Sequence, residues 1–160
     1  MAADIFAKLG DIKGESLDDK HKDEIEVLSY SWGVSNSGSM SHGTGGGEGK
    51  ASFQDLTFTH YYDKASPVLM QYCTNGTHMK DATLTLRKAG KGQQEYLVVK
   101  LTDVILTSLA LGSSSGNEPP METVGLNFAK VVVEYKPQKA DGSLDAGVFF
   151  KYDLKAQKEA

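Results

Sequence analysis

Two long segments of the chain, 95–111 and 122–135, alternate apolar and polar residues, and this pattern restricts the fold more than any other feature. Successive side chains of a β-strand point to opposite faces, so a period of two is typical of a strand with one buried face. Shorter segments with the same alternation lie at 4–9, 24–34, 51–59, 82–88 and 148–152. The chain is therefore predicted to be mainly β, as a small antiparallel barrel that is closed or nearly closed.

One segment changes to a helical period. Ser66 is predicted to cap the backbone N–H groups of a short helix over 67–74, with Pro67 at its first position. Asn75-Gly76 is a typical helix end. The residues predicted to face the core at helical spacing are Val68, Leu69 and either Tyr72 or Cys73. The barrel is thus expected to carry one flanking helix.

The segment 24–34 is predicted to be a strand with two unlike faces. Its core face is predicted to hold Leu28, Tyr30, Trp32 and Val34. Its other face holds Ser29, Ser31 and Gly33, which are all small and mostly polar. Such a face is compatible with the wall of a wet channel or with an ordinary solvent face.

The last long segment, 122–135, also predicts an irregularity. Its apolar positions change from Leu126 and Phe128 to Val131 and Val133, which reverses the face that they occupy. The simplest cause is a β-bulge near 129–130.

A long Gly/Ser loop over 35–50 interrupts the strands. Residues 35–49 include six glycines and four serines, a composition that cannot build a core. Loops beyond roughly 12–15 residues are uncommon unless they have a function. The alternatives are an arm that reaches a neighbouring molecule and a passive loop. The predicted contact residues are Ser39, Met40, Ser41, His42, Thr44, Glu48 and Lys50.

Length and charge limit the remaining possibilities. The 160 residues are predicted to form one domain, 1–160, with a charged tail at 153–160. The net charge of −4 and the single arginine, Arg87, argue against a nucleic-acid partner. The single cysteine, Cys73, fits a reducing compartment. The sequence shows no signal peptide and no membrane span, so synthesis and folding in the cytoplasm are expected.

The residues that could carry chemistry do not form a known motif. Gly49-Lys50 resembles the end of a phosphate-binding loop, but Thr44 replaces the first glycine and Ala51 replaces the required hydroxyl. The histidines, which lie at 21, 42, 60 and 78, lack metal-ligand spacing and are interpreted as surface or turn residues. No catalytic residue, metal site or cofactor is predicted.

An ordered series of short motifs resembles the Hcp (haemolysin-coregulated protein) family of type VI secretion. The resemblance covers residues 2 to about 152 and rests on Phe6–Ser16, Glu24–Leu28, Tyr30–Gly33, Gln54–Thr59, Asp63–Pro67, Leu86–Gly90, Leu126–Ala129 and Tyr135–Gln138.

The resemblance implies a structural protein rather than an enzyme. Hcp-like subunits are expected to form six-membered rings that stack into the inner tube, are secreted with it, and hold effectors in the channel as carrier and chaperone. Implied partners are other copies of the chain, a tip spike protein, a contractile sheath and secreted effectors. The face of Ser29, Ser31 and Gly33 is then expected to contact effectors, and the Gly/Ser loop to contact the next ring.

Two other classes of function remain open. A small-ligand-binding β-barrel is expected to be a monomer with an apolar cavity. A hydrolase needs a nucleophile and a base that only folding brings together. The mass in solution separates the ring from both alternatives.

Overall fold

The computed structural model describes residues 3–38, 49–88 and 92–160, which form a curled antiparallel sheet, a small hairpin and one helix. The elements in chain order are β1 (Ala3–Leu9), β2 (Ile25–Glu26), β3 (Ser29–Ser31), β4 (Val34–Asn36), β5 (Ala51–Phe53), β6 (Leu56–Tyr61), α1 (Ser66–Asn75), β7 (His78–Lys88), β8 (Glu95–Gly112), β9 (Met121–Tyr135), β10 (Val148–Asp153) and β11 (Lys158–Glu159). The mainly β class with one short helix is confirmed.

Strand β9 organises the sheet. One of its edges pairs with β8 over nearly the full length of both strands. Its other edge pairs first with β6, over Met121–Leu126, and then with β10, over Lys130–Tyr135. Strand β8 continues the sheet to β7, and β7 continues it to β1. The two long alternating segments of the sequence are therefore its central pair.

The segment 25–31 connects the two sides of the curled sheet. Its first part pairs with β1, and the N–H of Val27 donates to the carbonyl of Ile5 at 2.9 Å. Its second part pairs with β6, and the N–H of Leu28 donates to the carbonyl of Thr59 at 2.8 Å. Two short strands replace one continuous ladder at this point, so the sheet is curled but the barrel is not closed.

The single strand predicted over 24–34 is wrong in its length and partly in its buried face. Ile25 and Val27 are buried, whereas Leu28 is 44% exposed and Val34 is 56% exposed. The segment changes its strand partner between Val27 and Leu28, and Val34 belongs to the separate β4–β5 hairpin. The alternation therefore does not continue through one strand.

The core fills the space inside the curled sheet. It is dominated by leucine, valine and phenylalanine from β1, β6, β7, β8 and β9. Fully buried side chains include Leu9, Leu56, Phe58, Val104, Val124 and Leu126. Burial of such side chains contributes about 1.5–3 kcal/mol each to folding.

The short helix α1 packs against β8. Leu69 is fully buried, but Val68 is 36% exposed, so the prediction of Val68 as a core residue is wrong. The helix ends as predicted, with Gly76 at φ 67° in the left-handed region. Ser66 does not cap the helix, because it is the first helical residue and Ala65 occupies the N-cap position; its buried hydroxyl accepts the N–H of Asp63 at 3.1 Å.

In β7, β8 and β9 the buried side chains switch from one face of the strand to the other, and the three switches lie directly beside one another. The buried residues on the two sides of the switch are Met79 and Ala82 in β7, Leu101 and Val104 in β8, and Phe128 and Val131 in β9. The register between β8 and β9 is unchanged there, and Asp103 has a φ of 55°. The bulge predicted near 129–130 is therefore wrong, since the register shift in this pair lies between Leu106 and Ser108.

Candidate functional site: a strip of small hydroxyl residues

Eight small residues lie side by side on one face of four strands, and all of them except the buried Gly125 are at least partly exposed. The strand order is β3, β6, β9 and β8, and the cross-strand register fixes two rows. The first row contains Ser29, Thr59, Thr123 and Ala110. The second row contains Ser31, Thr57, Gly125 and Ser108. We refer to these eight residues as the hydroxyl strip.

The alternation of the same strands forms the strip. Between the two rows lies a row whose side chains point inward, namely Tyr30, Phe58, Val124 and Leu109. Phe58 is 1% exposed and Val124 is fully buried. Because successive side chains of a strand alternate, burial of this apolar row directs the small polar residues outward.

The strip is polar but uncharged. The hydroxyls of Ser29 and Thr59 share a hydrogen bond of 2.6 Å. A carboxylate, Asp55, lies beyond one end of the strip and accepts hydrogen bonds from Thr107 Oγ1 at 2.6 Å and Asn127 Nδ2 at 2.9 Å. This surface can form hydrogen bonds with a partner but offers no charge to it.

The opposite end of the strip is apolar. Tyr61 of β6 pairs with Met121 of β9, and the two side chains are 42% and 39% exposed. The strip therefore runs from a carboxylate at one end to an apolar pair at the other.

Two of the three residues predicted to line a channel belong to the strip. Ser29 and Ser31 are exposed on β3. Gly33 is half-buried and lies between β3 and β4, where its carbonyl accepts the N–H of Gln54 at 2.8 Å. The other strip residues are contributed by β6, β9 and β8, and only the register of these strands reveals them.

The predicted loop contacts Ser39, Met40, Ser41, His42, Thr44 and Glu48 lie outside the described residues. Lys50 is exposed at the end of this loop. The two ends of the loop are held together by Asn36, whose Nδ2 donates to the carbonyl of Gly49 at 3.1 Å, and by the Lys50 N–H, which donates to Ser37 Oγ at 3.2 Å.

A polar cluster that the sequence did not predict secures the loop between β1 and β2. Arg87 is 2% exposed and donates hydrogen bonds to Asp18 and Asp4. Its guanidinium lies 4.8 Å from the centre of the Phe6 ring, and His21 stacks on the same ring at 4.4 Å. The hydrogen bond from Arg87 lowers the pKa of Asp18 to about 2.

The interpretation of the histidines as surface or turn residues is wrong for His60, which is buried in β6, whereas His21 lies in a turn but is also buried. His21 is 7% exposed, and its two ring nitrogens each lie 2.8 Å from a carboxylate, of Glu24 and Glu95. His60 is fully buried against Glu122. One carboxylate partner of each lies far away in the sequence, Glu95 for His21 and Glu122 for His60, so the local pattern does not reveal that these histidines are buried.

The described ranges contain neither a metal-binding group of side chains nor a membrane-spanning helix. Within them, no three His, Cys, Asp or Glu side chains are grouped closely enough to hold a metal ion. Within the same ranges, no helix has the length and apolar character to cross a membrane.

Residues 6–135 match the sequence model of a family described as "Type VI secretion system effector, Hcp". A curated protein of Pseudomonas aeruginosa, protein hcp1, is 53% identical over 148 residues. This alignment covers 92% of the chain and 91% of the Pseudomonas protein.

Solved structures agree with this similarity over the whole chain. A type six secretion system protein superposes with a TM-score of 0.93 at 31% identity, covering 99% of this chain and 100% of its own. Hcp1 from Salmonella typhimurium superposes with a TM-score of 0.80 at 41% identity, with both chains covered completely. A type VI secretion system effector from Yersinia pestis has a TM-score of 0.78 at 38% identity, covering 94% of this chain and 99% of its own.

Proposed function

The chain belongs to the Hcp family of type VI secretion tube proteins, and we propose that its hydroxyl strip lines the channel of a six-membered ring and contacts the effectors carried there. Hcp proteins of type VI secretion are secreted. In this proposal the subunit acts as a structural element and a carrier, without catalysis. The observation that carries the proposal is the continuous uncharged strip across four strands.

The strand edges beside the strip support assembly into a ring. In the described residues, β3 has a strand partner only on its β6 side. The last part of β8, Ser108–Gly112, has a strand partner only on its β9 side. Open edges favour pairing with another chain. Pairing β8 of one subunit with β3 of the next would repeat the same contact, and a repeated head-to-tail contact forms a ring when its rotation closes.

This arrangement makes the strip continuous around the ring. Each subunit would supply four strands, and the strips of successive subunits would join at the β8–β3 contact. Small side chains keep such a channel wide, while hydroxyls keep its wall wet. We further propose that the loop over 35–50 contacts the next ring, with its ends fixed by Asn36 and Lys50.

The proposed partners and export route follow from the same assignment. The stacked rings would contact a tip spike protein and a contractile sheath on the outside, and effectors on the inside. The subunit would fold in the cytoplasm and leave the cell with the tube. A small-ligand carrier is the alternative, and it is distinguished by a monomeric mass.

The first test is the mass of the purified protein. Rings should have about six times the chain mass of 17.3 kDa. A monomer at tens of micromolar would contradict the proposed assembly.

The second test adds charge to the strip. Ser31→Glu should leave folding and ring mass unchanged, since exposed substitutions usually change stability by less than about 0.5 kcal/mol. It should reduce the amount of at least one effector retained by the ring. Thr102→Glu, which changes an exposed residue elsewhere on the barrel, is the matched control and should retain effectors normally. If Ser31→Glu retains every effector normally, Ser31 does not contact effectors.

A further inference from the structure

Three ionisable side chains meet where β6 leads into α1. His60 and Glu122 are fully buried, and they are direct cross-strand neighbours in β6 and β9. His60 Nε2 lies 2.9 Å from Glu122 Oε1. On the other side of the ring, Nδ1 lies 3.8 Å from Asp63 Oδ2. We call these three residues the His60 cluster.

The cluster is incompletely satisfied. His60 Nδ1 and Glu122 Oε2 are buried and have no hydrogen-bond partner in the described part of the chain. A buried polar atom without a partner costs about 1–3 kcal/mol, so such atoms require a physical explanation. The 3.8 Å gap to Asp63 is just beyond hydrogen-bonding distance.

The charged groups around the cluster are acids from three elements. Glu122 comes from β9, Asp63 from the turn before α1, and Glu15 from the loop before β2. Glu15 accepts the N–H of Lys64 at 2.8 Å and acts on Asp63. Arg87 lines a surface groove together with Glu15 and Asp63, but its donors are directed to Asp4 and Asp18.

Asp63 links the cluster to the start of the helix. Its Oδ1 accepts the N–H of Ala65 at 2.9 Å, and its own N–H donates to Ser66 Oγ at 3.1 Å. Ala65 and Ser66 are fully buried, as is Leu69 one turn later. A change at Asp63 therefore acts directly on the first turn of α1.

We infer that the His60 cluster is a proton-operated clasp, in which a doubly protonated His60 joins Glu122 of β9 to Asp63 at the start of α1. Imidazole with two N–H groups can donate to both carboxylates, whereas the neutral ring donates only once. Loss of the proton leaves one contact to Asp63 or Glu122 unmade. The clasp then opens at the turn, because β6 and β9 are held by their ladder.

The environment of Asp63 favours the same direction of pH dependence. Burial raises the pKa of Asp63, while the neighbouring His60 charge opposes this rise. A carboxyl group with a raised folded-state pKa stabilises the native state below its ordinary value, and this contribution is lost as the pH rises through the folded-state value. Ionisation of Asp63 therefore costs native-state stability as the pH rises, but it supplies the carboxylate that the clasp needs, so the clasp opens only when His60 loses its proton.

The clasp lies directly behind the apolar end of the hydroxyl strip. His60 is flanked in sequence by Thr59 and Tyr61, and Glu122 by Met121 and Thr123. If the strip lines the channel, as proposed above, the state of the cluster sets the rigidity of that end of the channel wall. The clasp itself depends only on the fold of the subunit, so it can be tested separately from the channel.

The test is amide hydrogen exchange of the assembled wild-type protein at pH 6.0 and pH 8.5, corrected for the intrinsic pH dependence of exchange. Peptides from residues 61–69 should lose protection at the higher pH by at least about tenfold, since loss of a buried charge-assisted hydrogen bond shifts a local equilibrium by about that factor or more. His60→Lys, which retains a positive charge, should remove this difference. His78→Gln, which changes an exposed histidine bonded to Asp103, should preserve it.

Two outcomes would overturn the inference. One is an equal loss of protection in the β7–β8 core peptides, and the other is an unchanged pH effect in His60→Lys. If His60→Lys fails to fold, the imidazole ¹⁵N spectrum of the wild type decides. A doubly protonated ring at pH 6.0 that becomes neutral by pH 8.5 supports the clasp, and one unchanged neutral form contradicts it. Ring mass measured in parallel separates failure of the clasp from failure of the proposed assembly.

Discussion

The contrast between Leu69 and Val68 tests how α1 is attached to the barrel. Leu69 is fully buried in the core, whereas its neighbour Val68 is 36% exposed. Leu69→Ala removes three carbon atoms from a closed site. The lost transfer free energy is about 2.4 kcal/mol, at about 0.8 kcal/mol per buried carbon group, and the remaining cavity adds to it. The expected loss is therefore about 3–4 kcal/mol.

Val68→Ala serves as the matched control. It removes two partly exposed methyl groups, and alanine is a better helix former than valine. Its expected effect is below about 1 kcal/mol. Urea unfolding followed by the fluorescence of Trp32, the only tryptophan, measures both variants. The protein concentration must be the same throughout, because assembly shifts apparent stability. Equal losses of unfolding free energy in the two variants would refute a helix orientation in which Leu69 faces the core and Val68 faces outward.

Two further predictions concern acid stability and tube length. The pKa of Asp18 is lowered from 3.8 to about 2 by the hydrogen bond from Arg87, so its stabilising contribution is present above its ordinary value and lost as the pH falls toward 2. The urea midpoint should therefore fall more steeply over this range in the wild type than in Asp18→Asn, and parallel curves would contradict this role. Deletion of residues 43–49 removes no predicted core residue, so rings should persist in size-exclusion chromatography while tubes shorten in negative-stain images. Tubes of normal length would make the loop dispensable for stacking.

Local patterns in the sequence predict a strand well where the same neighbouring strand pairs with it along its whole length. Strands β8 and β9 pair with each other over nearly their full length, and their alternation is long enough to identify both. The same reasoning fails over 24–34, because the backbone changes partners between Val27 and Leu28. The alternation of a segment carries no information about which strand lies beside it.

The reversal of the buried face shows a second limit of local reasoning. A period change in β9 alone predicts a bulge, since one strand must gain a residue relative to its neighbours. Here β7 and β8 change face at the same level, so Val104 remains opposite Phe128 and the register is kept. A compensated change of this kind is visible only when the three strands are aligned with one another.

The sequence predicted only the part of the candidate site that lies within a single strand. Ser29 and Ser31 are recognisable as a small polar face within one segment. Thr57, Thr123 and Ser108 join them only through the register of β6, β9 and β8. The His60–Glu122 pair is separated by 62 residues, and neither neighbourhood contains a sign of the other. Side-chain chemistry alone could not assign burial to either residue.

The pairing of β8 with β9 also determines how the subunit responds to mechanical force. Fourteen residue pairs connect the two strands. A pull parallel to the strands loads these pairs in shear, so many hydrogen bonds must break together before the strands slide. A pull across them instead separates one pair at a time. The subunit should therefore resist stretching along β8 and β9 far better than peeling at their ends, and its tensile strength should depend on direction.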